Sequence, residues 1–122
     1  MKTNSKSKEN QKKYYYDLFW KLYDYECMCL GKRWIERIKL KHYSFITMKK
    51  TCIILKWFND NFNKNEYYMC LATSKNASFR VFVYDLDDKL IKFVCFGFKN
   101  KLYVPTWGIE SGEYENVDQC NI

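Results

Sequence analysis

The spacing of the apolar residues changes near residue 65, and this change constrains the fold more than any other feature of the 122-residue chain. Before it, apolar side chains recur at the three- and four-residue intervals of an amphipathic helix. After it, apolar and polar residues alternate in short runs separated by turn-forming residues, which is typical of strands. Because a chain of this length has room for one core, the sequence predicts a single domain that is first helical and then β.

Two main helices and one ambiguous segment are predicted in the first half of the chain. Residues 9–30 have a helical pattern, which Gly31 would end because glycine favours the turn that follows a helix. Ser44 is a candidate N-cap for a second helix that runs to about residue 62. The intervening residues 32–43 fit a short helix and a strand equally well.

Four strands are predicted in the second half. They cover residues 67–73, 79–84, 90–98 and 102–106, and the segments 74–77, 85–88 and 99–101 connect them. Connections this short force neighbouring strands to be antiparallel. We therefore expect an α+β fold, in which two or three N-terminal helices pack on a C-terminal four-stranded antiparallel β-meander.

Both ends of the chain are predicted to be tails. Residues 1–12 are polar and basic and are expected to form a flexible tail, so the domain itself covers residues 13–122. Within it, residues 13–65 are the helical part and residues 66–107 the β part. Residues 108–122 carry four acidic residues and no basic one, and are expected to form an acidic C-terminal tail.

Positive charge is concentrated in the helical half. Residues 1–65 carry 13 Lys and 2 Arg against 6 acidic residues, a net charge of +9, whereas residues 66–122 have a net charge of −2. Clustered cations suit phosphate backbones, and aromatic side chains among them can stack on unpaired bases. We therefore expect a non-enzymatic binding protein that docks on RNA, DNA or a nucleoprotein complex. The candidate binding residues are Lys12, Lys13, Tyr14, Trp20, Lys32, Arg33, Trp34, Arg37, Lys39, Lys41, Lys49 and Lys50.

A second hypothesis places the binding surface on the β half. Because side chains alternate along a strand, Arg80, Phe82 and Tyr84 share one face of the second predicted strand. Phe79, Val81 and Val83 share the other face. An exposed face of this kind would suit a host protein complex, because a few aromatic anchors can dominate the affinity of an interface.

The composition is typical of a strongly AT-rich genome: that of a low-GC bacterium, its phage or plasmid, an organelle or a protist. Lys, Asn, Tyr, Phe and Ile, which AT-rich codons encode, total 56 residues, and Gly, Ala, Arg and Pro, which GC-rich codons encode, total 10. Under the second hypothesis, the chain is a phage or mobile-element accessory protein that inhibits a host defence or replication complex. A third hypothesis is an assembly subunit of an organelle.

Residues that commonly serve catalysis or cofactor binding are scarce. The single histidine, His42, has no acidic neighbour in the sequence to orient it as a base. Cys27 and Cys29 are too close for a C-x-x-C pair, and four glycines leave no phosphate-cradling loop. The acidic segment 85–88 has ligands for a hard cation, but a solvated turn explains it more simply. We therefore predict no enzymatic activity, no catalytic residue, no cofactor and no metal.

The cysteines and the lack of a secretory signal indicate a reducing compartment. The longest apolar run, residues 52–55, is far shorter than the about 20 residues of a membrane span, so no span is expected. No apolar stretch follows the N-terminal charges, as a secretory signal would require. Because cytoplasmic thiols stay reduced, the cysteines are expected to be free and mostly in the core. The expected location is the cytoplasm, with an organelle matrix as the alternative.

Overall fold

The computed structural model describes residues 5–73, 79–96, 101–103 and 114–116 of the chain. Its elements are α1 (Ser5–Leu22), β1 (Met28–Cys29), α2 (Lys32–Lys39), α3 (Phe45–Asn61), β2 (Tyr67–Thr73), β3 (Phe79–Asp85), β4 (Leu90–Phe96), β5 (Lys101–Tyr103) and β6 (Tyr114–Asn116). The described part of the chain thus holds three helices and one sheet, which confirms the α+β class. None of these helices is both long enough and apolar enough to cross a lipid bilayer.

The strands form one sheet in the order β1-β2-β3-β4-β5-β6. β2 to β6 are antiparallel neighbours, as expected of a meander, but β1 pairs with β2 in parallel. The prediction of a purely antiparallel, four-stranded sheet is therefore wrong. β1 has only two residues and so carries no alternating pattern. It is held by the buried side chain of Met28 and by a 2.8 Å bond from the backbone N–H of Met69 to Cys27 O.

α1 differs from its prediction at both ends. It begins at Ser5, inside the stretch assigned to a flexible tail, and it ends at Leu22 rather than at residue 30. The early end has a local cause in Asp24. Its Oδ1 accepts the backbone N–H of Glu26 at 2.9 Å, and its carbonyl oxygen accepts that of Met28 at 2.8 Å. A turn closed by an Asp side chain in this way competes with continuation of the helix.

The ambiguous segment after Gly31 forms the helix α2. Gly31 is the N-cap of α2, and not the end of the first helix as predicted. The first turn of α2 holds Lys32 and Arg33 and no acidic residue, although the positive end of a helix dipole disfavours cations. The buried side chains of Ile35 and Ile38 join the core. Packing, and not the electrostatics of the helix itself, therefore keeps α2 in place.

α1 and α3 pack together and share one core with the sheet. Phe19 of α1 and Phe58 of α3 are both fully buried in it. From β3, the side chains of Phe79, Val81 and Val83 are buried in the same cluster. The face of β3 that these three residues were predicted to share is thus the core face, and Arg80, Phe82 and Tyr84 lie on the other.

The turn between α2 and α3 contains a residue in the left-handed region. Lys41 has a φ of 61°. Its N–H bonds to Ile38 O at 3.0 Å, and the N–H of His42 bonds to Arg37 O at 2.8 Å. These two bonds form the Schellman motif that ends many helices, in which glycine is the preferred residue at the position of Lys41.

Glycine at this position should relieve the strain. We expect Lys41→Gly to have a free energy of unfolding about 1 kcal/mol higher than Lys41→Ala, because both variants lose the lysine side chain and only glycine adopts a positive φ without steric cost. Denaturant unfolding of the two variants side by side measures the difference. Equal stabilities would contradict the geometry of this turn.

The predictions for the strand connections and for the C-terminal tail are confirmed only in part. The turn at residues 85–88 is confirmed, and Asp85 Oδ1 accepts two backbone N–H groups of it at 2.9 Å. The connections at 74–77 and 99–100 lie outside the described residues. Part of the predicted acidic tail is a strand, because β6 pairs with β5. Three residues again carry too little alternation to reveal a strand in the sequence.

Candidate nucleic-acid interface

A cleft of about 560 Å³ lies between α2, the start of α3 and the end of β2. Its lining residues are Gly31, Arg33, Trp34, Arg37, His42, Tyr43, Ser44, Thr47, Leu71 and Ala72. They include two of the three arginines of the chain, its one histidine and no carboxylate. We call this cavity the basic cleft. Its composition suits an anionic ligand.

The two arginines reach the basic cleft together because they lie four residues apart on α2. Residues at this spacing are neighbours on one side of a helix. Arg33 and Arg37 are both exposed, and none of the ion pairs between described residues includes either. Glu36, the acid of α2, lies outside the lining. Like charges at this spacing destabilise a helix by roughly 0.2–0.5 kcal/mol, and a bound phosphate would relieve that repulsion.

The N-terminus of α3 borders the basic cleft. Ser44 is the N-cap of this helix, as the sequence predicted. Its Oγ accepts the backbone N–H of Thr47 at 3.1 Å and donates to Thr47 Oγ1 at 2.7 Å. The positive end of the α3 dipole therefore lies on the same side of the molecule as the two arginines and adds to their potential.

An indole ring forms one aromatic wall of the basic cleft. Trp34 is half-buried, and its ring packs edge-on against Phe79 with 5.6 Å between ring centroids. Phe79 is itself buried in the core. The indole is thus anchored on the sheet and still borders the cavity.

The basic surface continues beyond the cleft through Tyr43. The rings of Tyr43 and Tyr16 are nearly parallel, with an interplanar angle of 10° and centroids 6.3 Å apart. Lys12 Nζ lies 5.2 Å from the centroid of Tyr43, and Lys41 Nζ lies 5.1 Å from that of Tyr16. We call these four residues the Lys–Tyr cluster. It lines a second cavity, of about 370 Å³, together with Glu9, Lys13 and Asp17. Because carboxylates share this second cavity, it is less suited to anions than the basic cleft.

The remaining candidates of the helical half are dispersed. Tyr14 and Lys49 line a third cavity, of about 400 Å³, between α1 and α3. Lys13 donates a 2.8 Å hydrogen bond to the carboxylate of Asp17, and this contact raises the pKa of Lys13. Trp20 packs into an aromatic cluster around α1. Lys32, Lys39 and Lys50 line none of these three cavities.

Seven of the ten residues that line the basic cleft are missing from the sequence-based candidates, and four of these seven have polar side chains: His42, Tyr43, Ser44 and Thr47. A signal for them exists in the sequence. An N-cap at Ser44 puts residues 41–43 into a tight turn, and a helix before that turn places both arginines beside it. The signal is readable only after α2 is recognised as a helix.

The sheet face opposite the helices is the second candidate surface, and we call it the outer sheet face. Arg80 is exposed there, and Phe82 and Tyr84 are half-buried. The ring of Tyr84 stacks on that of Tyr68 with centroids 5.1 Å apart, and the ring of Phe82 stacks on that of Phe93 at 4.7 Å. The predicted aromatic face is therefore present, although its rings are largely engaged with one another.

Tyr68 and Cys70 on the outer sheet face stay neutral at physiological pH. Tyr68 donates a 2.6 Å hydrogen bond to Asp88 Oδ1, which raises the pKa of Tyr68 to about 12. Cys70 pairs in register with Cys29 on β1, and burial and this neighbour raise the pKa of Cys70 to about 11. The face therefore offers aromatic rings and the neutral thiol of Cys70 for contact. None of the five cysteines in the described part of the chain forms a disulfide, and Cys27, Cys52 and Cys95 are buried.

Among the residues that the structure describes, no three His, Cys, Asp or Glu side chains lie close enough to hold a metal ion. In the acidic turn, the carboxylates of Asp85 and Asp88 accept hydrogen bonds from the backbone and from Tyr68 instead. These bonds give the acidic side chains a structural role.

Comparisons of the chain with models of protein families, with curated proteins and with solved structures give no significant match. Function is therefore inferred from the residues and geometry of the basic cleft and the outer sheet face.

Proposed function

We propose that this protein binds nucleic acid through the basic cleft and catalyses no reaction. The observation that carries the proposal is the pair Arg33 and Arg37 in a cavity whose lining holds no carboxylate. A guanidinium group presents several N–H donors in a plane that matches the oxygens of a phosphate. The net charge of +9 on residues 1–65 adds long-range attraction for a polyanion.

The Lys–Tyr cluster supports the same proposal. Tyr43 lines both the basic cleft and the second cavity, so the two are adjacent. A strand that leaves the cleft past Tyr43 would meet Lys12, which lies over the Tyr43 ring, and Lys41, which lies over the Tyr16 ring. Contacts between these lysines and the tyrosine rings restrict where the ammonium groups lie, which lowers the entropy lost when a phosphate binds.

Titration with fluorescent oligonucleotides at rising salt concentration tests the proposal. We expect log Kd to rise linearly with log salt, because each neutralised phosphate releases counterions, with a slope of roughly 0.7 per contact on a single strand. The two arginines and the two lysines of the cluster together predict a slope of about 3. Failure to bind at low salt, or binding without a salt slope, would refute the proposal.

The outer sheet face favours a second candidate function, which is docking on a host protein complex as an inhibitor from a phage or mobile element. The observation behind it is the pair of stacked ring contacts opposite the helices. Aromatic side chains are enriched among the anchors of protein interfaces. Pull-down from a host lysate separates the candidates. A protein partner lost with Phe82→Ser/Tyr84→Ser and kept with Arg33→Gln/Arg37→Gln would favour the second function.

A further inference from the structure

We infer that the basic cleft takes a single strand of nucleic acid, with an unpaired base stacked on Trp34 and a neighbouring phosphate bound by Arg33 and Arg37. This inference rests on the proposed nucleic-acid binding and specifies its ligand. It follows from the presence of Trp34 and both arginines in the lining of one cleft.

The ring and the two cations face the same ligand space. Arg33, Trp34 and Arg37 all line the one cleft, although Lys32 and Glu36 on the same helix do not. Proteins that bind single strands combine cations along the backbone with aromatic rings on which bases stack. In a duplex each base is already stacked between its neighbours, so its face is closed to an indole. The combination therefore selects unpaired nucleotides.

Trp34 is better placed for stacking than the other two tryptophans in the described part of the chain. Trp57 is only 5% exposed. Trp20 has the rings of Phe19, Tyr23 and other aromatic residues packed around it. Trp34 alone of these three lines one of the cavities described above, and its contact with Phe79 fixes the indole before a ligand arrives. An anchored ring loses little freedom on binding.

The size and surroundings of the cleft favour a strand over a free nucleotide. A volume of about 560 Å³ lies within the range of small-molecule sites and accommodates a nucleotide unit. The Lys–Tyr cluster lies next to the cleft, and its lysines would not contact a ligand that is confined to the cleft. Additional phosphates along a strand would reach these lysines, so a polymer is expected to bind more tightly than a mononucleotide.

The test measures the affinity of the whole chain for four probes by fluorescence anisotropy and competition. The probes are single-stranded dodecamers of oligo-dT and oligo-U, a duplex of the same length, and thymidine monophosphate. Trp34→Leu should weaken binding of both single strands by about 5- to 150-fold, the range found when a stacking ring is removed, and should leave duplex binding unchanged. Trp34→Phe, which keeps a ring to pack on Phe79, should weaken it by a smaller factor. Trp20→Leu is the matched control and should bind like the unmodified chain.

Other results would overturn the stacking inference, the assignment of a strand or the proposed function, in the following way. An equal loss for single strand and duplex, or undiminished binding by both Trp34 variants, overturns the stacking inference and leaves nucleic-acid binding in place. Thymidine monophosphate binding as tightly as the dodecamer overturns the assignment of a strand. If the unmodified chain binds none of the four probes, the proposed function itself fails.

Discussion

Replacing Arg33 and Arg37 together by glutamine is expected to weaken binding of a single-stranded dodecamer roughly 30- to 100-fold at about 100 mM salt. Glutamine keeps a polar side chain but loses the charge-assisted bonds that a guanidinium makes with phosphate. The slope of log Kd against log salt should also fall by roughly 1.4, since two phosphate contacts disappear. Because like charges four residues apart repel one another, the free energy of unfolding should change by no more than about 0.5 kcal/mol.

The matched control for this variant lies on the same helix. Lys32→Gln/Lys39→Gln removes the same charge from α2, but neither lysine lines the basic cleft. It should weaken binding by less than about threefold, because exposed charges away from the contact act mainly through a screened long-range field. If the two double variants lose equal affinity, net charge rather than the cleft determines binding, and the proposed site is wrong.

The largest effect on stability is expected at Ile54 in α3. This side chain is fully buried, whereas Ile46 on the same helix is 63% exposed. Ile54→Ala should lower the free energy of unfolding by about 2–5 kcal/mol, because it removes buried methyl groups and leaves a cavity in the shared core. Ile46→Ala makes the same chemical change at the surface and should stay within about 0.5 kcal/mol of the parent.

Thermal or urea unfolding of the two alanine variants checks this core assignment. A loss of 2–5 kcal/mol would lower Tm by roughly 8–20 °C in a domain of this size, at about 4 °C per kcal/mol. Comparable destabilisation by both substitutions would place Ile46 in the core as well and contradict the orientation of α3. That orientation matters for function, because the N-terminus of α3 borders the basic cleft.

The features that sequence analysis predicted correctly are those with strong local chemistry. Ser44 is an N-cap because its hydroxyl satisfies a free N–H of the first helical turn, and this depends on few neighbours. The two faces of β3 follow directly from alternation, so Phe82 and Val81 were correctly assigned to opposite faces. Alternation alone left open which of the two faces is buried. The turn at residues 85–88 follows from Asp side chains that bond to the backbone.

The features that sequence analysis missed depend on contacts between distant segments. β1 exists because two residues pair with β2, and Gly31 caps the following helix because the chain turns into that strand first. The candidate site also depends on contacts between distant segments. Trp20 and Trp34 look alike in the sequence, and only their surroundings separate a ring enclosed by other rings from one that lines a cleft. Lys13 pairs with Asp17 and lies outside the lining of the basic cleft.

Backbone-amide NMR of the isotope-labelled protein, titrated with a single-stranded dodecamer at low salt, tests the central claim most directly. The basic cleft predicts that the largest shift changes fall on residues 31–37 and 42–47, from the start of α2 to the first turn of α3. The amides of residues 82–84 on β3 should move little, because these residues pair with residues 68–70 of β2 and not with Leu71 and Ala72, which line the cleft. Shift changes concentrated on residues 82–84, with the amides of the cleft unmoved, would contradict the account.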